Sequence, residues 1–322
     1  MVHRAFRLAY DGRDYHGYQR QPDVRTVAGA LFDALDALLD DRVAHDDPPP
    51  GYVAAGRTDA GVSALAQTVS LRVPDWLDPG ALSAELPDDV RAWAAADVPP
   101  DFHARHDVER RSYDYRLHAP REESGRERAG TGATASEATV PGRGPLIGDA
   151  DRPRAGPPVD ESRLRAAMER LAGEHDFHNL TTDESGTVRR LDTSVHLEGS
   201  FLRLRFTARG FPRQLVRRAV ALASAVATRE RDPAAVDRAL APEPLPGPEG
   251  VAPAPPAPLV LADVAYDGPT FETDPDAAAE ARAAFAGRRV AAASRARVIG
   301  RLERGVGSDG AGVSGHGGGG DH

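Results

Sequence analysis

A chain of 322 residues is too long for one small hydrophobic core, and its length predicts two domains of ordinary size or one fused pair. The sequence contains no cysteine, which excludes disulfides, thiolate catalysis and cysteine-ligated metal sites. No apolar run approaches the roughly 20 residues of a membrane helix, and the first residues lack the apolar segment of a signal peptide. We therefore expect a cytoplasmic globular protein with no membrane partner.

The charged residues are unusual in kind. Forty-nine Asp and Glu residues face 40 basic residues, all of them Arg, for a formal net charge of −9. This mixture is typical of proteins from salt-loving archaea, although a GC-rich genome would also favour Arg over Lys. At about 1 M salt the Debye length is only about 3 Å, so the net charge does not exclude a nucleic-acid partner. Six Arg and no acidic residue lie between Arg203 and Arg218, which is compatible with phosphate binding or with a solvated surface.

In the first hundred residues, the pattern predicts the order strand, helix, strand, strand, helix, strand. Residues 3–10 alternate as a strand does, and Thr26 is a candidate N-cap for a helix with apolar residues at helical spacing. A short strand leads into "AAGRTDAGVSALAQ", which is followed by a further strand and a short helix. The segment at 90–98 is ambiguous between strand and helix.

The same order recurs in the second half of the chain. A strand around Tyr113 precedes a helix that begins near Asp160, and a hairpin turns at 198–200. A helix at about 212–228 and a strand ending at Tyr266 complete the set. Leu202, Leu204 and Phe206 share one face of the second hairpin strand. We therefore predict an α+β fold of two related ferredoxin-like split βαβ halves, with antiparallel or mixed sheets.

Three segments fall outside this repeat. Residues 119–158 are rich in Gly, Pro, Ala, Glu and Arg and predict a disordered insertion, and the tail after about Arg288 is predicted to be unstructured. The Pro-rich run at 241–258 is expected to be an extended tether. The predicted domains are an N-terminal half at 1–105, a C-terminal half at 106–270 and an extension at 271–322.

The motif at residues 56–61, "GRTDAG", places Arg57 and Asp59 on a turn bracketed by glycines. It could be a surface turn with an exposed ion pair worth about 0–1 kcal/mol. A phosphate-cradling loop is less favoured, because no Gly-Lys-Ser pattern follows. The third hypothesis is a catalytic carboxylate, and residue types alone leave the three open.

The stretch "AAGRTDAGVSALAQ" resembles the signature of the TruA family of tRNA pseudouridine synthases. Four further blocks resemble family motifs in family order and, with the last strand, extend the similarity over most of residues 3–270. They are "LAYDGRDYHGYQRQPDVRTVAGAL", "FHARHDVERRSYDYRL", "LAGEHDFHNL" and "GFPRQLVRRAVALASAV". The chain departs from the family at Tyr18, where Trp is usual, and at Leu215, where Met is usual.

The resemblance implies an enzyme with Asp59 as its catalytic residue. It also implies that Arg217 supplies the cation beside this carboxylate, so that the two residues should face each other across a central RNA-binding cleft. Tyr113 is expected beside them, where it would stack on the uracil and accept the proton from C5. An ordinary strand aromatic is the alternative for Tyr113, and one more phosphate contact is the alternative for Arg217.

The remaining residues of the implied site would hold RNA. Arg57 is expected to fill the gap left by a base flipped out of its stem. Gln19, Arg209 and Arg213 are further candidates for substrate binding. The implied substrate is uridine in the anticodon arm of tRNA, on the 3′ side of the stem and loop, and the implied assembly is a homodimer.

The implied reaction moves the bond between uracil and ribose from N1 to C5 of the base, without redox change or hydrolysis. We therefore expect no cofactor and no metal. Two His pairs, His103 with His106 and His175 with His178, have spacings that metal sites use, but the helical His-Glu-x-x-His pattern is absent. Phe177 between the second pair is expected in the core. The alternatives are a metal-dependent hydrolase, an inactive tRNA-binding protein of the same fold and a synthase for other uridines.

Overall fold

The structure is a computed structural model that describes residues 1–39, 48–119, 158–246 and 250–306. The strands are β1 Val2–Tyr10, β2 Val53–Ala54, β3 Ser63–Val73, β4 Val90–Asp97, β5 Val108–His118, β6 Gly173–Asp176, β7 Val188–Glu198, β8 Phe201–Ala208, β9 Leu259–Tyr266 and β10 Glu272–Thr273. The helices are α1 Val27–Leu39, α2 Pro79–Glu85, α3 Glu161–Leu171, α4 Leu215–Ala227, α5 Ala234–Leu240 and α6 Pro275–Gly305.

The strands pair into one mixed sheet, so the α+β class predicted from the sequence is confirmed. Its order is β10-β4-β1-β3-β9-β5-β8-β7-β6, with β2 paired to β3 beside this path. Neighbouring strands are antiparallel except for β3 and β9, which run parallel. The ambiguous segment at 90–98 is largely the strand β4.

Two sets of elements have the same order along the chain and the same order of strands in the sheet. The set β1-α1-β2-β3-α2-β4 yields β4-β1-β3-β2, and the set β5-α3-β7-β8-α4-β9 yields β9-β5-β8-β7. The two sets meet where Ser63 and Ala64 of β3 pair with Val260 and Leu261 of β9. This seam lies directly after the loop that carries Asp59.

Local sequence signals explain where the elements begin and which side chains they bury. The hydroxyl of Thr26 accepts a hydrogen bond from the N–H of Gly29, which confirms the predicted cap of α1. Leu202, Leu204 and Phe206 of β8 are buried, as the alternation predicted. Among the described residues the buried apolar side chains form three clusters, and the two large ones lie mainly in the second half and in the first half.

The prediction of an unstructured tail after about Arg288 is wrong for residues 289–305, because α6 continues to Gly305. The side chain of Asp274 caps this helix by accepting from the N–H groups of Asp276 and Ala277. Ala and Arg dominate the segment, and both are strong helix formers. The low apolar content suggested disorder, whereas intrinsic propensity favours a helix.

The Pro-rich run is packed against the protein rather than loosely tethered. Its described parts, 241–246 and 250–258, contain no helix or strand, as expected, but Val251 and Ala254 are buried. Arg217 and Arg218 hold it through the carbonyl oxygens of Ala254 and Val251. The predicted insertion at 119–158 lies almost wholly outside the described residues. Within the described ranges, no helix has the length and apolar character needed to cross a membrane.

Replacing Leu204 with Ala should lower the free energy of unfolding by about 2–5 kcal/mol, because its side chain is fully buried and a cavity would remain. The matched control is Leu197→Ala on the neighbouring strand, where the side chain is 42% exposed and the loss should stay below about 1 kcal/mol. Denaturant unfolding of both variants at the same salt concentration measures the difference. Equal losses would contradict the packing described for β8.

Candidate active site

The loop between β2 and β3, residues 55–62, carries Asp59 and is held in place by hydrogen bonds along its length. Gln67 donates its side-chain N–H to the carbonyl oxygen of Gly56 at 2.8 Å. The hydroxyls of Thr58 and Tyr10 share a buried hydrogen bond of 2.8 Å. The backbone N–H of Tyr18 donates to the carbonyl oxygen of Thr58 at 3.1 Å. The backbone next to Asp59 is therefore fixed by groups from three other segments.

Two glycines allow close approach to this loop. Gly17 has φ +97°, and a Cβ there would lie 3.1 Å from the carbonyl oxygen of Thr58 and 3.2 Å from the nitrogen of Ala60. Gly61 has φ +79°, and a Cβ there would lie 2.8 Å from Cγ of Pro256. Both positions need glycine for backbone conformation and for space.

Asp59 contacts Arg217 from the other half of the chain, as expected from the resemblance. Nη1 of Arg217 donates to Oδ2 of Asp59 at 3.1 Å, and Nε of Arg217 donates to the carbonyl oxygen of Ala254 at 2.7 Å. The Asp59 side chain is 32% exposed, whereas that of Arg217 is 12% exposed. The guanidinium is thus anchored at two points while the carboxylate remains open to solvent on one side.

Tyr113 lies on β5 between β8 and β9, where its ring packs edge-on against Phe211 with the centroids 5.2 Å apart. Burial raises the pKa of Tyr113 to about 12, and the negative charge of Asp59 adds to that rise while Arg111 opposes it. The Tyr113 hydroxyl therefore interacts electrostatically with the Asp59 carboxylate. At neutral pH its hydroxyl is a neutral phenol.

Arg111 is a residue of the site that sequence reasoning missed. Its guanidinium donates to the carbonyl oxygens of Ala55, Arg105 and Arg209, and so links the start of the Asp59 loop to the end of β8. Burial lowers its pKa from the usual value. The available signal was its position two residues before Tyr113, since alternate residues of a strand share one face.

The predicted RNA-binding residues lie on the surface. Arg57, Gln19 and Arg209 are exposed, and Arg57 makes no hydrogen bond or ion pair with another described residue. The side chain of Arg213 is 70% exposed but lies 3.8 Å from a carboxylate oxygen of Asp183, which partly balances its charge. Of Arg57 and Arg213, Arg57 is therefore the more available to bind RNA.

The six Arg between 203 and 218 do not form a continuous basic surface. Arg205 makes two hydrogen bonds with Asp114, at 2.7 and 2.8 Å, and Arg203 lies 2.9 Å from Glu198. Arg218 is occupied by the carbonyl oxygen of Val251. Most of these Arg side chains are thus paired with carboxylates or carbonyl oxygens of the protein. The number of Arg in this segment therefore overestimates the guanidinium groups that are available to bind phosphate.

The histidine pairs take part in local structure. Nδ1 of His103 lies 3.2 Å from the backbone nitrogens of both Arg105 and His106, so this ring stabilises a turn. The ring of His175 bonds to the carbonyl oxygen of Ala172 at 2.8 Å. Phe177 is fully buried, as predicted. In the part of the chain that the structure describes, no three His, Cys, Asp or Glu side chains form a group that could hold a metal ion.

Comparisons with known proteins agree in one description. A family model described as tRNA pseudouridine synthase matches residues 167–267. Proteins named tRNA pseudouridine synthase A from Haloarcula marismortui and Halobacterium salinarum are 50% and 47% identical, over 94% of this chain and 100% and 99% of their own lengths. One of the same name from Archaeoglobus fulgidus is 32% identical over 85% of this chain and 87% of its own.

Replacing Gly17 with Ala should destabilise the protein by more than the about 1–2 kcal/mol that a left-handed backbone costs, because the added Cβ also meets the backbone at Thr58 and Ala60. Gly268→Ala is the matched control, since Gly268 has φ +101° and nothing within 4 Å of its Cβ position. Unfolding free energies and hydrogen exchange of the Tyr18 amide would compare them. A loss no larger than that of Gly268→Ala would show that the close approach does not matter.

Proposed function

The chain belongs to the tRNA pseudouridine synthase A family, and from that premise we propose that Asp59 is its catalytic carboxylate. Such an enzyme is an isomerase that converts uridine to pseudouridine in the anticodon arm of tRNA. The observation that supports Asp59 most directly is its position, half-buried on a rigid loop and paired with Arg217 from the other half, whose side chain is 12% exposed.

The chemistry explains why a carboxylate is needed at this place. The bond between N1 of uracil and C1′ of ribose breaks, a bond between C5 and C1′ forms, C5 loses its proton and N1 gains one. Atoms and electrons balance without oxidant or water. A carboxylate supports this exchange by attacking the reacting sugar or base or by stabilising positive charge at C1′, as carboxylates do in glycoside chemistry. Asp59 presents its open side to the solvent that RNA would displace.

We propose that Arg217 holds that carboxylate in a fixed orientation. Its second bond, to the carbonyl oxygen of Ala254, fixes the plane of the guanidinium relative to Asp59. A Lys could supply the charge but not this fork of donors.

We propose that Arg57 acts on the RNA rather than on Asp59. A target base inside a stem must leave its stack, which costs a few kcal/mol. Arg57 lies two residues from Asp59, is exposed and has no hydrogen-bond or ion-pair partner among the described residues, so its guanidinium is available to occupy the vacated space. Arg209, Arg213 and Gln19 are proposed to contact the RNA around it.

The repeated strand order supports two related ferredoxin-like halves, with limits near 1–105 and 106–270, that meet around the RNA-binding cleft. The Asp59 loop directly precedes the seam strand β3, and Arg217 lies on α4 of the second half. The two departures from the family pattern, Tyr18 and Leu215, are buried and do not face solvent. We therefore propose that the chain acts on the uridines typical of its family. The homodimer and the cytoplasmic location stay predictions.

Replacing Asp59 with Ala should abolish the release of tritium from tRNA labelled at C5 of uridine, while tRNA affinity changes less than tenfold. The matched control is Asp263→Ala, which also removes a carboxylate paired with an Arg but lies outside the site. Release from Asp59→Ala equal to that of the unaltered enzyme would show that Asp59 is not the catalyst. Release that is absent from the unaltered enzyme would instead identify an inactive tRNA-binding protein.

Tyr113 should give a distinct pH dependence. Because its raised pKa of about 12 keeps the phenol neutral, the phenolate fraction grows about tenfold per pH unit between pH 8 and pH 11. If the phenolate takes the C5 proton, single-turnover tritium release should rise across this range, and Tyr113→Phe should be slow and flat. A Phe variant with full activity and the unaltered pH profile would restrict Tyr113 to stacking.

A further inference from the structure

The second half of α6 projects from the body of the protein. Every residue from 289 to 306 is exposed except Gly300, which is half-buried. This part of α6 contains five Arg and a single acidic residue, Glu303, although the whole chain carries a net charge of −9. The five are Arg289, Arg295, Arg297, Arg301 and Arg304. This exposed, basic half of α6 does not pack against the rest of the described chain.

The projecting half of α6 has two different faces. Arg297, Arg301 and Arg304 follow a spacing of four and three residues, so their side chains leave the helix on one side. Val298 and Leu302, also four apart, lie on the neighbouring face of the helix and are both 62% exposed. Guanidinium groups about one helical turn apart present a row of charge suited to a polyanionic backbone.

The base of this projecting half lies beside the loop that supports Asp59. Arg288 forms ion pairs with Asp11 at 3.0 Å and with Asp14 at 3.5 Å, and hydrogen bonds from Arg13 and Arg288 outweigh burial and lower the pKa of Asp11 to about 2. The turn that contains Asp11 and Asp14 is bonded to the end of the Asp59 loop and to the first residue of β3. The N–H of Gly61 donates to the carbonyl oxygen of Tyr15 at 3.1 Å, and the N–H of Gly12 donates to the hydroxyl of Ser63. The helix therefore starts to project from near the rim of the active site.

We propose that residues 289–305 of α6 form an arm that binds the phosphate backbone of the tRNA substrate. At about 1.5 Å per residue the arm is about 25 Å long, so it reaches nucleotides well away from the reacting uridine. Charge complementarity selects the occupant: phosphates pair with a row of guanidinium groups, whereas the same row on a second copy of the chain would repel it. This inference rests on tRNA being the substrate.

The test compares tRNA binding by three full-length variants with that of the unaltered enzyme. The first is Arg297→Gln/Arg301→Gln/Arg304→Gln, the second replaces the same residues with Lys, and the third is Val298→Gln/Leu302→Gln. The dissociation constant for unmodified tRNA is measured over a range of salt concentrations, and the single-turnover rate is measured at saturating tRNA. Circular dichroism checks that the helix content is unchanged.

The Gln triple should weaken tRNA binding at least tenfold and reduce the slope of log affinity against log salt by about 2–3, close to one unit for each phosphate that no longer pairs with a guanidinium. Its saturating rate should stay within twofold of that of the unaltered enzyme, because the arm does not touch the reacting atoms. The Lys triple should keep the slope. An unchanged affinity and slope in the Gln triple would overturn the proposal.

Two further measurements distinguish this proposal from a contact between copies of the chain and from the proposal about Asp59. If the Gln triple binds tRNA normally while Val298→Gln/Leu302→Gln changes the sedimentation mass, the arm is a contact between copies and the proposal is wrong. Repeating the binding series in an Asp59→Ala background should give the same loss of affinity and slope. That result would support the arm even if Asp59 proved not to be the catalyst.

Discussion

The ion pair between Asp59 and Arg217 is the contact on which the rest of the site depends. It joins residues 158 positions apart, one from a loop of the first half and one from a helix of the second. Each partner is fixed by other groups, since the Asp59 loop is bonded to Tyr18 and Gln67, and Arg217 is bonded to Ala254. The parallel pairing of β3 with β9 holds both halves in the register that this contact requires.

Much of the fold could be predicted because its signals are local. The alternation of Leu202, Leu204 and Phe206 and the cap at Thr26 depend on neighbours in sequence, and the structure confirms both. The pairing of Asp59 with Arg217 was predicted through resemblance alone, because spacing within the chain carries no information about a contact between halves. Arg111 was missed for a related reason: its three partners are backbone carbonyl oxygens, which any residue type supplies.

Local composition was the least reliable guide. The cluster of Arg between 203 and 218 suggested a basic surface, yet Asp114 and Glu198 balance Arg203 and Arg205. The tail suggested disorder, yet it contains a helix with a row of exposed Arg. Counting charges in a window ignores acids that the fold brings from elsewhere. In an acidic chain rich in Arg, the cations available to RNA are those that the fold leaves without a carboxylate.

The position of β9 has a consequence for the protein during its synthesis. This strand, Leu259–Tyr266, lies between β3 and β5 and is the last strand to be made before the short β10. Until it emerges, β3 lacks its neighbour on that side and the Pro-rich run has no anchored end. A nascent chain therefore carries Asp59 long before the contact with Arg217 can be fixed, and folding of the second half depends on pairing between distant segments. The contact between Asp59 and Arg217 can thus be fixed only after β9 has been translated.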